Sequence, residues 1–166
     1  MPTTDAMIID PRRSERVSSG ENAGPEHTVR TRRSGHRFFF YTKRHGGDHR
    51  AAQWDSDLSR EEEFGIFDLA DLHDLSDDRG WLYGVGREAD GALRMLGTWG
   101  QQIAEFPYAR EGEPWYGYPL YTLNENAPDN RRAERYRPAR EVFRKLEEAG
   151  LLTTRERKKL YKGDHV

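Results

Sequence analysis

Lys43-Arg44-His45-Gly46-Gly47-Asp48-His49-Arg50 is the stretch of this 166-residue chain richest in groups that move protons and hold anions. Two imidazoles that titrate near neutrality can serve as base and acid, and neighbouring cations can hold the charge that develops on phosphorus. That is what metal-independent RNA cleavage needs. His45 and His49 would be acid and base, and Lys43 and Arg50 the charge stabilisers, with His36 just upstream. The competing reading, which outweighs it, is a polar turn in which Gly46-Gly47 supplies positive φ and the charged side chains face water. A metal set of His45, Asp48 and His49, joined by Asp71, His73 or Asp74, matches none of the zinc spacings, so neither a metal nor any other cofactor is expected.

A second chemistry sits in Trp115-Tyr116-Gly117-Tyr118-Pro119-Leu120-Tyr121, followed by Arg131-Arg132 and Arg135-Tyr136-Arg137. Flat aromatic faces beside cations suit single-stranded nucleic acid, where each stacked base contributes ~1–3 kcal/mol. The same aromatics also suit a lid on the core or a protein interface. The candidate binding set is Trp115, Tyr116, Tyr118 and Tyr121 on the loop, with Arg137, Arg140, Arg144 and Lys145 on a basic helix that follows.

Charge is unevenly placed. The formal net charge is −2, yet Asp55 to Asp78 is almost purely acidic while Arg131 to Lys162 is rich in Arg and Lys. The acidic run reads as a solvated face, or as an inhibitory surface that mimics nucleic acid, with Glu61, Glu62 and Glu63 at its centre. Gly84-Val85-Gly86 lacks the third glycine and the following helix of a dinucleotide site. No Gly-x-Ser-x-Gly occurs.

The elements that must position these groups are those of a small α+β fold. Hydrophobic and charged residues each make up 34% of the chain, which places part of it outside any packed interior. Residues 1–35, with their Pro, Gly and Ser, are expected to be a disordered N-terminal arm, and residues 36–166 one domain. With no cysteine there is no disulfide, thiol nucleophile or Cys-ligated metal. No apolar run reaches the ~20 residues of a membrane span, and Met1-Pro2-Thr3-Thr4-Asp5 lacks the layout of a secretion signal, so a cytoplasmic protein is expected.

Phe38-Phe39-Phe40-Tyr41 reads as a central strand. Ser59-Arg60-Glu61-Glu62 has the spacing of a capping box, but the apolar residues that follow do not form one helical stripe. An extended piece from Glu63 to Phe67, then a helix from Leu69 to about Leu75 capped by Asp68, would resolve this. Trp81 to Val85 and Leu93 to Trp99 flank a glycine-bearing turn and read as a hairpin, with Gln101 to Phe106 extending its second strand or opening a third. The pattern predicts an antiparallel sheet of about three to five strands over residues 36–106, then an aromatic loop over 107–136. Val142, Phe143, Leu146 and Ala149 share a helical face after Pro138, Gly150 stands at C′, and Thr153 and Glu156 cap a second short helix ending near Tyr161. Both C-terminal helices, within 137–162, should pack on the sheet.

The leading expectation is a non-enzymatic intracellular binding protein that engages a protein or nucleic acid through the aromatic loop and the basic helix. The competing ones are the small ribonuclease built on His45 and His49, and the acidic inhibitor.

Overall fold

The computed structural model describes residues 30–39, 53–122 and 137–166. Lys43, His45, His49 and Arg50, the strand expected beyond Phe39, and Arg131 to Tyr136 lie outside those residues. Within them the order is α1 (Arg60–Leu72), β1 (Leu82–Gly84), β2 (Ala104–Phe106), β3 (Tyr118–Pro119), α2 (Arg140–Glu148) and α3 (Thr154–Lys162). This is an α+β fold with a three-stranded antiparallel sheet ordered β1-β2-β3.

The capping box at Ser59 forms, its hydroxyl accepting the Glu62 N–H at 3.1 Å while the Glu62 carboxylate accepts the Ser59 N–H. The break expected within the helix does not. Residues 60–72 are one continuous helix because nearly every side of α1 is covered, so no single stripe is needed. Phe64 and Phe67 turn into an aromatic cluster with Phe38 and Phe106, ring centroids 4.8 to 6.4 Å apart. Ile66 meets the bare backbone of Gly84 on β1, where an added Cβ would come within 2.5 Å of its side chain. Asp68 is not a cap: its carboxylate accepts the backbone N–H and Nε of Arg32 at 2.9 and 2.6 Å. Asp71 likewise accepts the N–H and hydroxyl of Ser34 at 2.9 and 2.7 Å. Arg30 to Gly35, expected in the N-terminal arm, therefore form a tight turn docked on α1.

The hairpin partner also differs. β1 pairs with 104–106 instead of with Leu93 to Trp99, in the register Leu82↔Phe106, Tyr83↔Glu105 and Gly84↔Ala104. The 93–99 run makes only the isolated bridges Arg87↔Leu93 and Trp54↔Gly97, then doubles back where the Gln101 carbonyl accepts the N–H groups of Leu96 and Gly97. Ala104, Glu105 and Phe106 are buried on both faces, the environment of a central strand, whereas Arg94, Met95 and Thr98 keep solvent contact. Phe38 lies beside Trp115 through a parallel bridge, the Phe39 N–H donating to the Trp115 carbonyl at 2.6 Å.

The C-terminal helices complete the same core through Val142, Phe143, Leu146, Leu152 and Leu160. Gly150 takes the left-handed conformation expected of C′ (φ 75°), and Thr153 with Glu156 forms the second capping box. Ala139 is the N-cap of α2, so Pro138 stands just before the helix and not in its first turn. Glu156 also accepts from Arg87 Nη1 and Nη2 at 2.5 and 2.6 Å, tying the 86–92 turn to α3. Among the described residues no helix is long and apolar enough to cross a membrane.

Candidate functional site

A strand's side chains alternate between its two faces, so the register that puts Leu82, Ala104 and Phe106 against the core puts Tyr83, Glu105 and Tyr118 in a row on the other face. Glu105 is central, facing Tyr83 on β1 and Tyr118 on β3. Its Oε2 accepts from the Tyr83 hydroxyl at 2.9 Å and its Oε1 from the Tyr118 hydroxyl at 2.5 Å. The loop before β1 adds Asp77 and Arg79. The Asp77 carboxylate accepts Arg79 Nε and Nη2 at 3.0 and 2.8 Å and the N–H groups of Arg79 and Trp81 at 2.9 and 3.1 Å. With Asp78, Trp81 and, from the approach to α2, Arg137 and Pro138, these residues line a cleft of about 380 Å³.

The row contains a proton-counting conflict. The Tyr83 oxygen accepts from Arg79 Nη2 at 3.0 Å and lies 2.9 Å from both Asp77 Oδ2 and Glu105 Oε2. One hydroxyl hydrogen cannot serve two carboxylates, so both contacts are hydrogen bonds only when a carboxyl carries a proton. Burial opposes ionisation of Asp77, but its bonds from Arg79, Tyr83 and two backbone N–H groups outweigh this and hold it below the usual carboxylate range. Burial pushes Glu105 up, against the pull of the Tyr118 and Tyr83 hydroxyls. Burial, reinforced by the adjacent Glu105, also keeps both tyrosines protonated well beyond their ordinary range. The two carboxyls are thus driven apart, and Glu105 is the one that takes up a proton first as pH falls.

Of the candidate binding residues, the fold brings Tyr118 and Arg137 into this cleft. Trp115 is buried beneath His36 and beside Phe67, with ring centroids 4.8 and 5.7 Å away, and Tyr121 is buried against Trp99. Tyr116 is exposed, as is Arg144. Lys145 Nζ donates to the Ser76 carbonyl at 2.8 Å. The Arg137 and Arg140 guanidinia lie 5.1 and 5.0 Å from the Tyr161 ring, and the hydrogen bond from Arg140 lowers the Tyr161 pKa. Asp77, Arg79, Tyr83 and Glu105 were not in the sequence-derived set. The signal was a single glutamate inside Ile103-Ala104-Glu105-Phe106, an interruption that an alternating strand explains. Among the described residues no three His, Asp or Glu side chains gather as a metal-ligand set.

Comparisons with protein-family models, curated proteins and solved structures found no match.

Proposed function

We propose that the protein is a binding protein that engages a protein partner at the Glu105 cleft, taking a lysine or arginine side chain against the carboxylates and a backbone carbonyl of the same segment at Arg137. The observation that carries this reading is a carboxyl with only a distant cation beside a buried guanidinium nitrogen with no acceptor among the described residues. Among the described residues the ion pair Glu105 makes is a long one, 4.0 Å to Arg79, whose guanidinium is bonded more closely to Asp77. Arg137 Nε is buried with no acceptor among the described residues.

Each group so placed costs free energy that a ligand with the complementary group would recover. The wall is suited to a flat cation, because Trp81 already holds the Arg79 guanidinium 3.8 Å from its ring centroid. A phosphodiester entering here would face Asp77, Asp78 and Glu105, so repulsion favours a protein segment over nucleic acid at this cleft. A guest cation stabilises ionised Glu105 and so displaces its proton. Affinity therefore rises as pH increases through the range above the usual carboxylate value.

Calorimetric titration with capped Gly-Gly-Arg-Gly-Gly and Gly-Gly-Glu-Gly-Gly peptides tests the reading. The arginine peptide binds, the glutamate peptide does not, and Glu105→Gln weakens binding by about tenfold, a loss of ~1.4 kcal/mol. Equal binding of both peptides, or an unchanged affinity in Glu105→Gln, would remove this cleft as the site.

A further inference from the structure

Arg30 and Arg37 stand opposite one another across the antiparallel bridge that closes the 31–36 turn, so their side chains leave the same face of the ribbon. Like charges in that position repel. Neither has an ion pair among the described residues: Arg30 Nη1 donates to the Gly35 carbonyl at 2.9 Å and Arg37 Nη2 to the Gly112 carbonyl. Arg110, exposed on the turn that carries Gly112, also has no carboxylate partner there. Elsewhere the chain pairs its arginines readily, joining Arg32 to Asp68, Arg33 to Asp74, Arg79 to Asp77, Arg87 to Glu156, Arg94 to Glu62 and Arg157 to Glu147. Arg30, Arg37 and Arg110, which make no such pair among the described residues, line one cleft of about 390 Å³.

Tyr108 lines the same cleft. It is 60% exposed, the most open of the large apolar side chains, and is set edge-on to Trp115 with ring centroids 5.7 Å apart. His36 also packs on the Trp115 ring, centroids 4.8 Å apart, with its Nε2 3.6 Å from Asp71 Oδ1. Glu111 and Glu113 also border the cleft and are exposed, but no ion pair among the described residues joins them to the three arginines.

We propose that this cleft binds single-stranded nucleic acid, with a backbone phosphate held by Arg30, Arg37 and Arg110 and an adjacent base stacked on Tyr108. A planar guanidinium matches two phosphate oxygens at once, and an anion between Arg30 and Arg37 converts their repulsion into attraction. The bases of a duplex are stacked on one another and unavailable to Tyr108, whereas those of a single strand are free to stack on an aromatic ring. The inference is independent of the Glu105 cleft.

Fluorescence anisotropy of the full chain with a labelled single-stranded RNA, the same RNA as a duplex, and unlabelled adenosine monophosphate or inorganic phosphate as competitor tests it across a salt series. The single strand binds in a salt-sensitive way and more tightly than the duplex, and the mononucleotide competes better than phosphate. Arg110→Gln and Arg37→Gln each lower the salt slope by about one. Tyr108→Ala weakens binding roughly tenfold with the slope unchanged. Glu111→Gln tightens it, and Arg144→Gln on α2 changes neither quantity. Arg37 belongs to the turn itself, so Arg110→Gln, on an exposed loop, keeps the test open if Arg37→Gln disturbs folding. The proposal is overturned if folded protein does not bind, if the duplex binds as tightly as the single strand, if phosphate competes as well as the mononucleotide, or if Arg144→Gln lowers the slope as much as Arg110→Gln.

Discussion

The Glu105 cleft and the Arg30–Arg37–Arg110 cleft contain the same kinds of residue, arginines beside carboxylates and aromatic rings, and differ in which charge is left over. In the first, Arg79 is spent on Asp77, and Glu105, bonded to two tyrosine hydroxyls, is left with only a 4.0 Å approach to that cation. In the second, Glu111 and Glu113 are near but unengaged, and three guanidinia make no ion pair among the described residues. Pairing, not composition, decides what a surface offers. The acidic run from Asp55 to Asp78 makes the same point: Asp68 is committed to Arg32, Asp71 to Ser34, Asp77 to Arg79 and Glu62 to the cap of α1. Much of what reads as a negative face holds the fold together.

The largest effects should come from changes beneath both clefts. Phe67 is fully buried and touches the rings of Phe38, Phe106 and Trp115. Phe67→Ala should cost about 3–5 kcal/mol of stability in denaturant unfolding and abolish binding at both clefts together. Gly117→Ala comes next, at about 1–3 kcal/mol. An added Cβ there would lie 2.1 Å from the Phe106 ring and 2.9 Å from the Glu105 carbonyl. It should push β3 and Tyr118 off Glu105 while leaving the arginine cleft able to bind, which separates the two sites.

Acid and base then act on different carboxyls. The Arg87 guanidinium holds Glu156 down to about 2. A lowered folded-state pKa contributes stability that is present above the unfolded value and lost as pH falls from about 4.5 toward 2, on the order of 1–2 kcal/mol after screening at half-exposed Arg87. Arg87→Gln should flatten that loss in a pH series of unfolding curves. Glu105 has the opposite sign. Its raised pKa contributes stability that is present below the unfolded value and lost as pH rises from there through the folded-state value, so Glu105→Gln should flatten that loss just above the usual carboxylate range. The smallest effect expected is from Tyr116→Ala, an exposed loop residue outside both clefts, which should shift stability by less than about 0.5 kcal/mol and leave both binding curves in place.

Local signals were legible where chemistry and chain proximity coincide. Ser59 with Glu62, Thr153 with Glu156, and Gly150 mark helix ends because caps are made by residues within one turn of the ends they satisfy. The α2 face of Val142, Phe143 and Leu146 was legible for the same reason. α1 was not, because burial on most sides removes the periodicity that identifies a surface helix. The partner of β1 was missed because 93–99 and 104–106 are both apolar, and only the doubling back at Gln101 decides which one returns. Tyr118 and Arg137 could be singled out by type, but their shared cleft depends on Tyr83, Asp77 and Glu105, whose meeting is a matter of register across three strands. No spacing along the chain encodes that.

The most direct test of the Glu105 site is a carbon-13 NMR titration of the Glu105 side-chain carboxyl, with and without the capped arginine peptide. The midpoint should lie above the usual carboxylate range in the free protein and move down when the peptide binds. A midpoint at the ordinary value that the peptide leaves unchanged would contradict the proposed site.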